Sequence, residues 1–189
     1  MYNRAVIICG SASGMWDQLA SAVNLVGINE HIRIAGLNVA GIFVPHLDDW
    51  FITSMCNVKP MIGVRESISP VGDRGMSETT VHTPGQVFLP TLCEKHRYWP
   101  VTTKGTISMF AIRVLSSMGY NRMILAGVPL DDKAGYFYRA PWEQFGMSAE
   151  SRAYWVEAVA QLKPYVRSMG GWTQELLGAP TLEWLQGGD

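Results

Sequence analysis

His46 stands beside carboxylates in the run Pro45-His46-Leu47-Asp48-Asp49. A carboxylate such as Asp48 can orient an imidazole and keep it basic, so the pair suits a general base for group transfer. The same residues also suit a turn that bonds to its own backbone. Asp131 and Asp132 follow an apolar run at residues 123–128. They could hold a divalent ion such as Mg2+ together with a phosphate, or close a turn through local hydrogen bonds. A metal-dependent phosphohydrolase would combine His46, Asp48 and Asp131. Cys93-Glu94-Lys95-His96 is half a zinc site, and no second half follows at a familiar spacing.

Other groups offer backbone amides and neutral side chains. Gly10-Ser11-Ala12-Ser13-Gly14 follows an apolar run directly and precedes a helical pattern. Such a turn places N–H groups and two hydroxyls at a helix N-terminus, where phosphate binds well, or simply caps the helix at Ser13. It matches neither G-x-G-x-x-G nor a Walker lysine loop. Ser11 and Ser13 do not form the G-x-S-x-G elbow, and no acid-then-histidine order follows them, which argues against a hydrolase triad. Asn38, among small residues after a second apolar run, could bond a base or ribose, or close a turn.

These groups must be held by elements that the hydrophobic pattern reveals. Residues 103–132 are the best patterned. Ile107, Phe110, Ala111, Val114, Leu115 and Met118 recur at helical spacing, and Gly119 stands where a left-handed cap belongs. Residues 123–128 then read as a buried strand ending in Pro129-Leu130-Asp131-Asp132. Residues 4–9 (RAVIIC) read as a strand covered on both faces, with Cys9 as a small buried hydrophobe. A helix follows with Trp16, Leu19, Ala20, Val23 and Val26 on one face, and residues 31–35 form the second strand. Between residues 53 and 104 the helical period fades, with short strands expected at 59–64 and 86–89. Later come an aromatic stretch with Tyr136, Phe137, Tyr138 and Trp142, and a helix from Ser148 to about Lys163. A strand at 165–169, a Gly170-Gly171 turn, a helix at 172–177 and a last helical turn at 181–185 complete the chain. Strands alternating with helices predict one α/β domain over residues 1–189, a three-layer Rossmann-like sheet, mostly parallel, with helices on both faces. Its long excursion at 53–104 is expected to pass over the site.

Composition narrows the partners. The 189 residues are 48% hydrophobic, and 15 basic against 16 acidic residues give a net charge of −1. That balance supplies no excess for a polyanion, so nucleic acid is not the expected partner. Three scattered cysteines make no disulfide framework. The start MYNRAVIICG lacks a secretion signal, no apolar run is long enough to span a bilayer, and the chain reads as soluble and cytoplasmic. Seven Trp and ten Met leave room for a pocket wall or a homo-oligomer contact.

The order of G-S-x-S after strand one, Asn38, the helix and strand MFAIRVLSSMGYNRMILAGVPLDD and the late GGWTQELLG resembles bacterial sialyltransferases of the α-2,3/2,8 type. It is also similar to the wider Rossmann-like group that includes the archaeal hydroxymethylpterin pyrophosphokinases. The resemblance implies a cytidine monophosphate donor held by Gly10, Ser11 and Ser13, by Asn38, by Lys104, Gly105 and Thr106, and by Gly170, Gly171 and Trp172. It implies that Tyr136 and Tyr138 stabilise the departing phosphate; in the transferase reading Asp131 would face that phosphate as well. That family has a catalytic histidine after the tyrosines, whereas no histidine follows His96 here; His46 or Asp132 would have to substitute. The expected function is a nucleotide- or nucleotide-sugar-binding transferase, with the ligand's phosphates between the 11–14 turn and the 105–106 helix start. The alternative is a non-catalytic binding or assembly module that keeps the fold, with its Trp- and Tyr-rich segments as contact surface.

Overall fold

The computed structural model describes residues 4–27, 32–68, 75–85, 95–100, 106–131, 135–139 and 149–188. Alternation sets its layers. In the first strand, β1 (Ala5–Cys9), Val6 and Ile8 face one side while Ile7 and Cys9 face the other, and all four are fully buried. The strand is covered on both faces, as its unbroken apolar run requires. Burial of the Cys9 thiol pushes its pKa up to about 12. β2 (Arg33–Leu37), β3 (Asp49–Phe51), β4 (Thr80–Thr83), β5 (His96–Tyr98), β6 (Arg122–Ala126) and β7 (Val166–Ser168) join it in one sheet. The order is β5-β4-β3-β2-β1-β6-β7, and every pairing is parallel.

Helices cover both faces. On one side α4 (Ile107–Ser117), α5 (Ala149–Leu162) and α6 (Trp172–Leu177) contribute Phe110, Val114, Leu115, Trp155 and Leu177 to a core with Val6, Ile8, Phe51 and Leu125. On the other, α1 (Met15–Val26), the short α2 (Ala40–Phe43), α3 (Val58–Ile68) and α7 (Leu182–Leu185) bury Met15, Leu19, Ile42, Ile62 and Trp184 against Ile7, Cys9, Trp50 and Ile124. This is the expected three-layer Rossmann-like architecture. Gly119 takes the anticipated left-handed conformation, with φ 87°. No described helix is long and apolar enough to cross a membrane.

Two expectations change between residues 53 and 104. Residues 59–64 belong to helix α3 and not to a strand. Pro60 sits in the first turn of this helix, where its missing N–H costs no intrahelical bond. The segment also supplies β4 and β5, which extend the sheet. Residues 86–89 lie outside the described residues.

Candidate functional site

The strand order turns around at β1. From it the sheet runs through β2 to β5 in one direction and through β6 and β7 in the other. The connections leaving β1 and β6 therefore diverge to opposite faces, and a crevice opens beyond their C-terminal ends. A cavity of about 360 Å³ occupies that place. It is lined by Gly10 and Ser11 after β1, by Leu37 at the end of β2 with Asn38 and Val39 after it, and by Ser54, Asn57 and Met61 after β3. Thr106, Ile107 and Ser108 at the start of α4, Gly127 to Leu130 after β6, and Tyr136 and Tyr138 close it.

In the turn after β1, three of the five amides are engaged by the protein itself. Gly10 donates its amide to the Ala126 carbonyl at 2.7 Å, and Ala12 donates to Gly127 at 3.2 Å. Ser13 donates to Gly135 at 2.8 Å, Met15 to Ala12 at 3.0 Å, and the Phe137 amide donates to Ser11 at 3.0 Å. An antiparallel bridge between Ala12 and Tyr136 thus lays the 135–137 segment over the turn. The amides of Gly10, Ala12 and Ser13 are spent within the fold, which leaves at most those of Ser11 and Gly14 for a phosphate at this turn. Ser11 faces the cavity, whereas Ser13 is exposed and, like Gly14 at the N-cap of α1, does not line it. The bridge brings the two tyrosines in, with ring centroids 5.3 Å apart. The Arg139 guanidinium lies 4.9 Å from the centre of the Tyr136 ring and 5.6 Å from that of Tyr138.

Asn38 occupies the left-handed region, with φ 43°, which Asn tolerates better than most residues. Its amide donates to the Phe51 carbonyl at 2.8 Å, and its Oδ1 accepts from the Thr53 amide at 3.3 Å. Across the cavity, Thr106 caps α4 by accepting from the Met109 amide at 3.3 Å. The same hydroxyl accepts from the Trp155 indole at 3.2 Å and lies 2.7 Å from the Ser108 hydroxyl. The first-turn amides of a helix have no intrahelical acceptor, so this start is the place where an anion would be met. Lys104 and Gly105 lie outside the described residues.

The loop after β6 is braced from behind. Gln18 Oε1 accepts from the Gly127 amide at 2.8 Å. Thr173 donates its hydroxyl to the Val128 carbonyl at 2.6 Å and its amide to Pro129 at 3.1 Å. Gly171 packs so close that a Cβ there would lie 2.2 Å from Pro129 Cβ and 2.9 Å from Asp131 Oδ2. Gly170, Gly171 and Trp172 therefore support the loop and do not line the cavity. The Arg152 guanidinium lies over the Trp172 ring at 5.6 Å and donates to the Leu130 carbonyl at 3.2 Å. Asp131 stands by Gly171, also outside the lining, and Asp132 lies outside the described residues.

His46 is exposed in a left-handed turn, φ 52°, that precedes β3. The cavity lies beyond the opposite, C-terminal ends of the strands, so the fold does not bring His46 to it. Asp48 turns its Oδ2 to the Ile34 amide at 2.8 Å and does not orient an imidazole. His46, Asp48 and Asp131 thus stand at two ends of the sheet, which removes the geometric basis for the phosphohydrolase arrangement. Among the described residues no group of three His, Cys, Asp or Glu side chains could hold a metal ion. The imidazole–carboxylate pair that does form was not foreseen: buried His82 Nε2 and Asp49 Oδ1 are 2.8 Å apart. Trp99 donates its indole N–H to His82 Nδ1 at 2.9 Å, which leaves the proton of a neutral ring on Nε2, facing Asp49. Arg33 Nε donates to Asp49 Oδ2 at 2.6 Å. Burial alone would raise the Asp49 pKa, but the bonds to His82 and Arg33 outweigh it and hold the carboxyl below its usual range. With both ring nitrogens engaged, this network is structural. Ser54, Asn57 and Met61 were also missed as cavity residues, because they fall where no helix was recognised.

No family model matches the chain, and no curated protein matches it. Two solved structures of the sialyltransferase CstII from Campylobacter jejuni do. The complex with the substrate analogue cytidine-5'-monophosphate superposes with a TM-score of 0.64 at 9% identity, covering 96% of this chain and 87% of that one. The complex with CMP-3FNeuAc gives a TM-score of 0.56 at 11% identity, over 98% of this chain and 87% of that one. At these identities the likeness is one of fold.

Proposed function

We propose that this protein binds a nucleotide or nucleotide sugar in the crevice at β1 and β6, as a transferase of sialyltransferase-like fold. The observation that carries the reading is the cavity's place and lining together. It lies where the strand order reverses, between the start of α4 and a pair of tyrosines. Asn38 would contact ribose or base. Ser11, Thr106, Ser108 and the first amides of α4 would meet the phosphate, and the Tyr136 and Tyr138 hydroxyls would stabilise it as it departs. Support also comes from the solved structures, whose protein was captured with CMP and a CMP-sugar analogue. Cytidine monophosphate, CMP-sugars and other nucleotides, each at millimolar concentration with and without Mg2+, should raise the melting temperature, as a ligand of the native state must. No shift with any of them would sink the proposal.

One observation favours a second reading, a binding module without transfer. No described residue lining the cavity is Asp, Glu, Lys, Arg or His. Glycosyl transfer needs a group to take the acceptor's proton, and none of the described lining supplies an ordinary base. The two readings part on a single measurement. Release of cytidine monophosphate from a CMP-sugar, with or without an added saccharide acceptor, supports transfer; tight binding with no turnover supports the module.

A further inference from the structure

Asn38 is a polar cavity residue held in the left-handed region, and part of the constraint comes from a side chain outside the cavity lining. Trp50 is fully buried, and its indole N–H donates to the Asn38 carbonyl at 2.7 Å. The ring cannot turn away, because Gly41 lies flat against it: a Cβ on Gly41 would come within 2.1 Å of Nε1. Gly41 itself donates its amide to the same carbonyl at 3.2 Å. Buried Arg65 fixes the short helix that carries Gly41, donating to the carbonyls of Gly41, Ile42 and Val44. The Asn38 amide is held by Phe51, and Oδ1 is taken up by the Thr53 amide. With Oδ1 turned to Thr53, the NH2 end carries the two donors left for a ligand, and Oδ1 keeps one lone pair.

We propose that Trp50 is a positioning residue of the cavity and that, with Thr53, it fixes the orientation of the Asn38 carboxamide so that a ligand meets its NH2 donors first. The bound molecule then pairs best through a hydrogen-bond acceptor at the β2–β3 end, such as the carbonyl and ring-nitrogen edge of a base. The ligand half of this inference rests on the nucleotide reading above; the positioning half does not.

The test replaces Trp50 with benzothienylalanine, which keeps the fused ring but has sulfur in place of N–H, alongside Trp50→Phe. Cytidine monophosphate is titrated by calorimetry into both, and into each combined with Asn38→Ala. Loss of the indole N–H should weaken binding roughly tenfold, as expected for one neutral hydrogen bond, and should cost nothing further once Asn38 is alanine. Asn38→Asp, which removes the NH2 donors, should weaken binding at least as much as Asn38→Ala. Unchanged affinity in the benzothienyl protein, or an equal loss in the Asn38→Ala background, overturns the inference. The NH2 resonances of Asn38 in the ligand-free protein give an independent reading and should move when the indole N–H is removed. If wild-type protein takes up no nucleotide, the nucleotide reading and the ligand half fail together, while carboxamide resonances that stay in place overturn the positioning half.

Discussion

Gly10 and Gly127 touch backbone to backbone: a Cβ on Gly10 would lie 2.2 Å from the Gly127 carbonyl oxygen and 2.7 Å from Val128 Cγ2. The floor of the cavity is thus two main chains in contact where the strand order reverses. Gly10→Ala should destabilise the protein by about 1–3 kcal/mol, the usual cost of overpacking. It should also spoil the cavity, so that nucleotide no longer raises the melting temperature. Urea unfolding and thermal shift on one sample check both effects.

Tyr136 and Tyr138 line a cavity whose other described polar side chains are Ser, Thr and Asn. Replacing both with Phe keeps the rings and their packing under Arg139. Stability should change by about 1 kcal/mol or less, while affinity for cytidine monophosphate falls about tenfold. Full affinity in the double variant would remove the tyrosines from the phosphate.

Thr106 serves a cap and the Trp155 indole with one oxygen. Thr106→Val should cost about 2 kcal/mol, combining a lost N-cap with an unsatisfied indole. Thr106→Ser should restore most of it. Because the cap also sets the start of α4, nucleotide affinity should follow stability across the pair.

Acid should unfold the protein partly through Asp49. Its folded-state pKa is depressed, so the unfolded chain takes up the proton first as pH falls. The stability it contributes is complete above the unfolded value near about 3.9 and is lost below it. His96, whose pKa is lowered by burial and by His82 nearby, adds an earlier decline that begins near about pH 6.5. Asp49→Asn should cost about 3–5 kcal/mol, as breaking a buried pair does, and should flatten the limb below about pH 4. Denaturant unfolding across the pH range measures both.

Long elements with one clear period could be read from residues alone. Helix α4, the left-handed Gly119 and strand β6 lie where apolar spacing and a residue without Cβ placed them. The short strands could not be read. Thr80–Thr83 and His96–Tyr98 are too short and polar to show alternation, and they become strands through their neighbours in the sheet. At the site, Ser11, Asn38, Thr106, Tyr136 and Tyr138 were named in advance and meet in one cavity. Gly170, Gly171 and Trp172 proved to brace a loop from behind, since sequence order shows which residues end a strand but not which side of a loop they face. His46 was named for its chemistry, yet it precedes β3, and in a parallel sheet the two ends of a strand face different places.

The neutral lining also bears on how a ligand leaves. The described lining carries no charge, and the Arg139 guanidinium, 4.9 Å from the Tyr136 ring, stands outside it. What the lining itself offers a ligand comes from hydroxyls and amides and acts within the last few ångströms, well inside the screening length of roughly 8 Å at physiological ionic strength. A ligand held by such neutral groups should leave at a rate that salt concentration changes little.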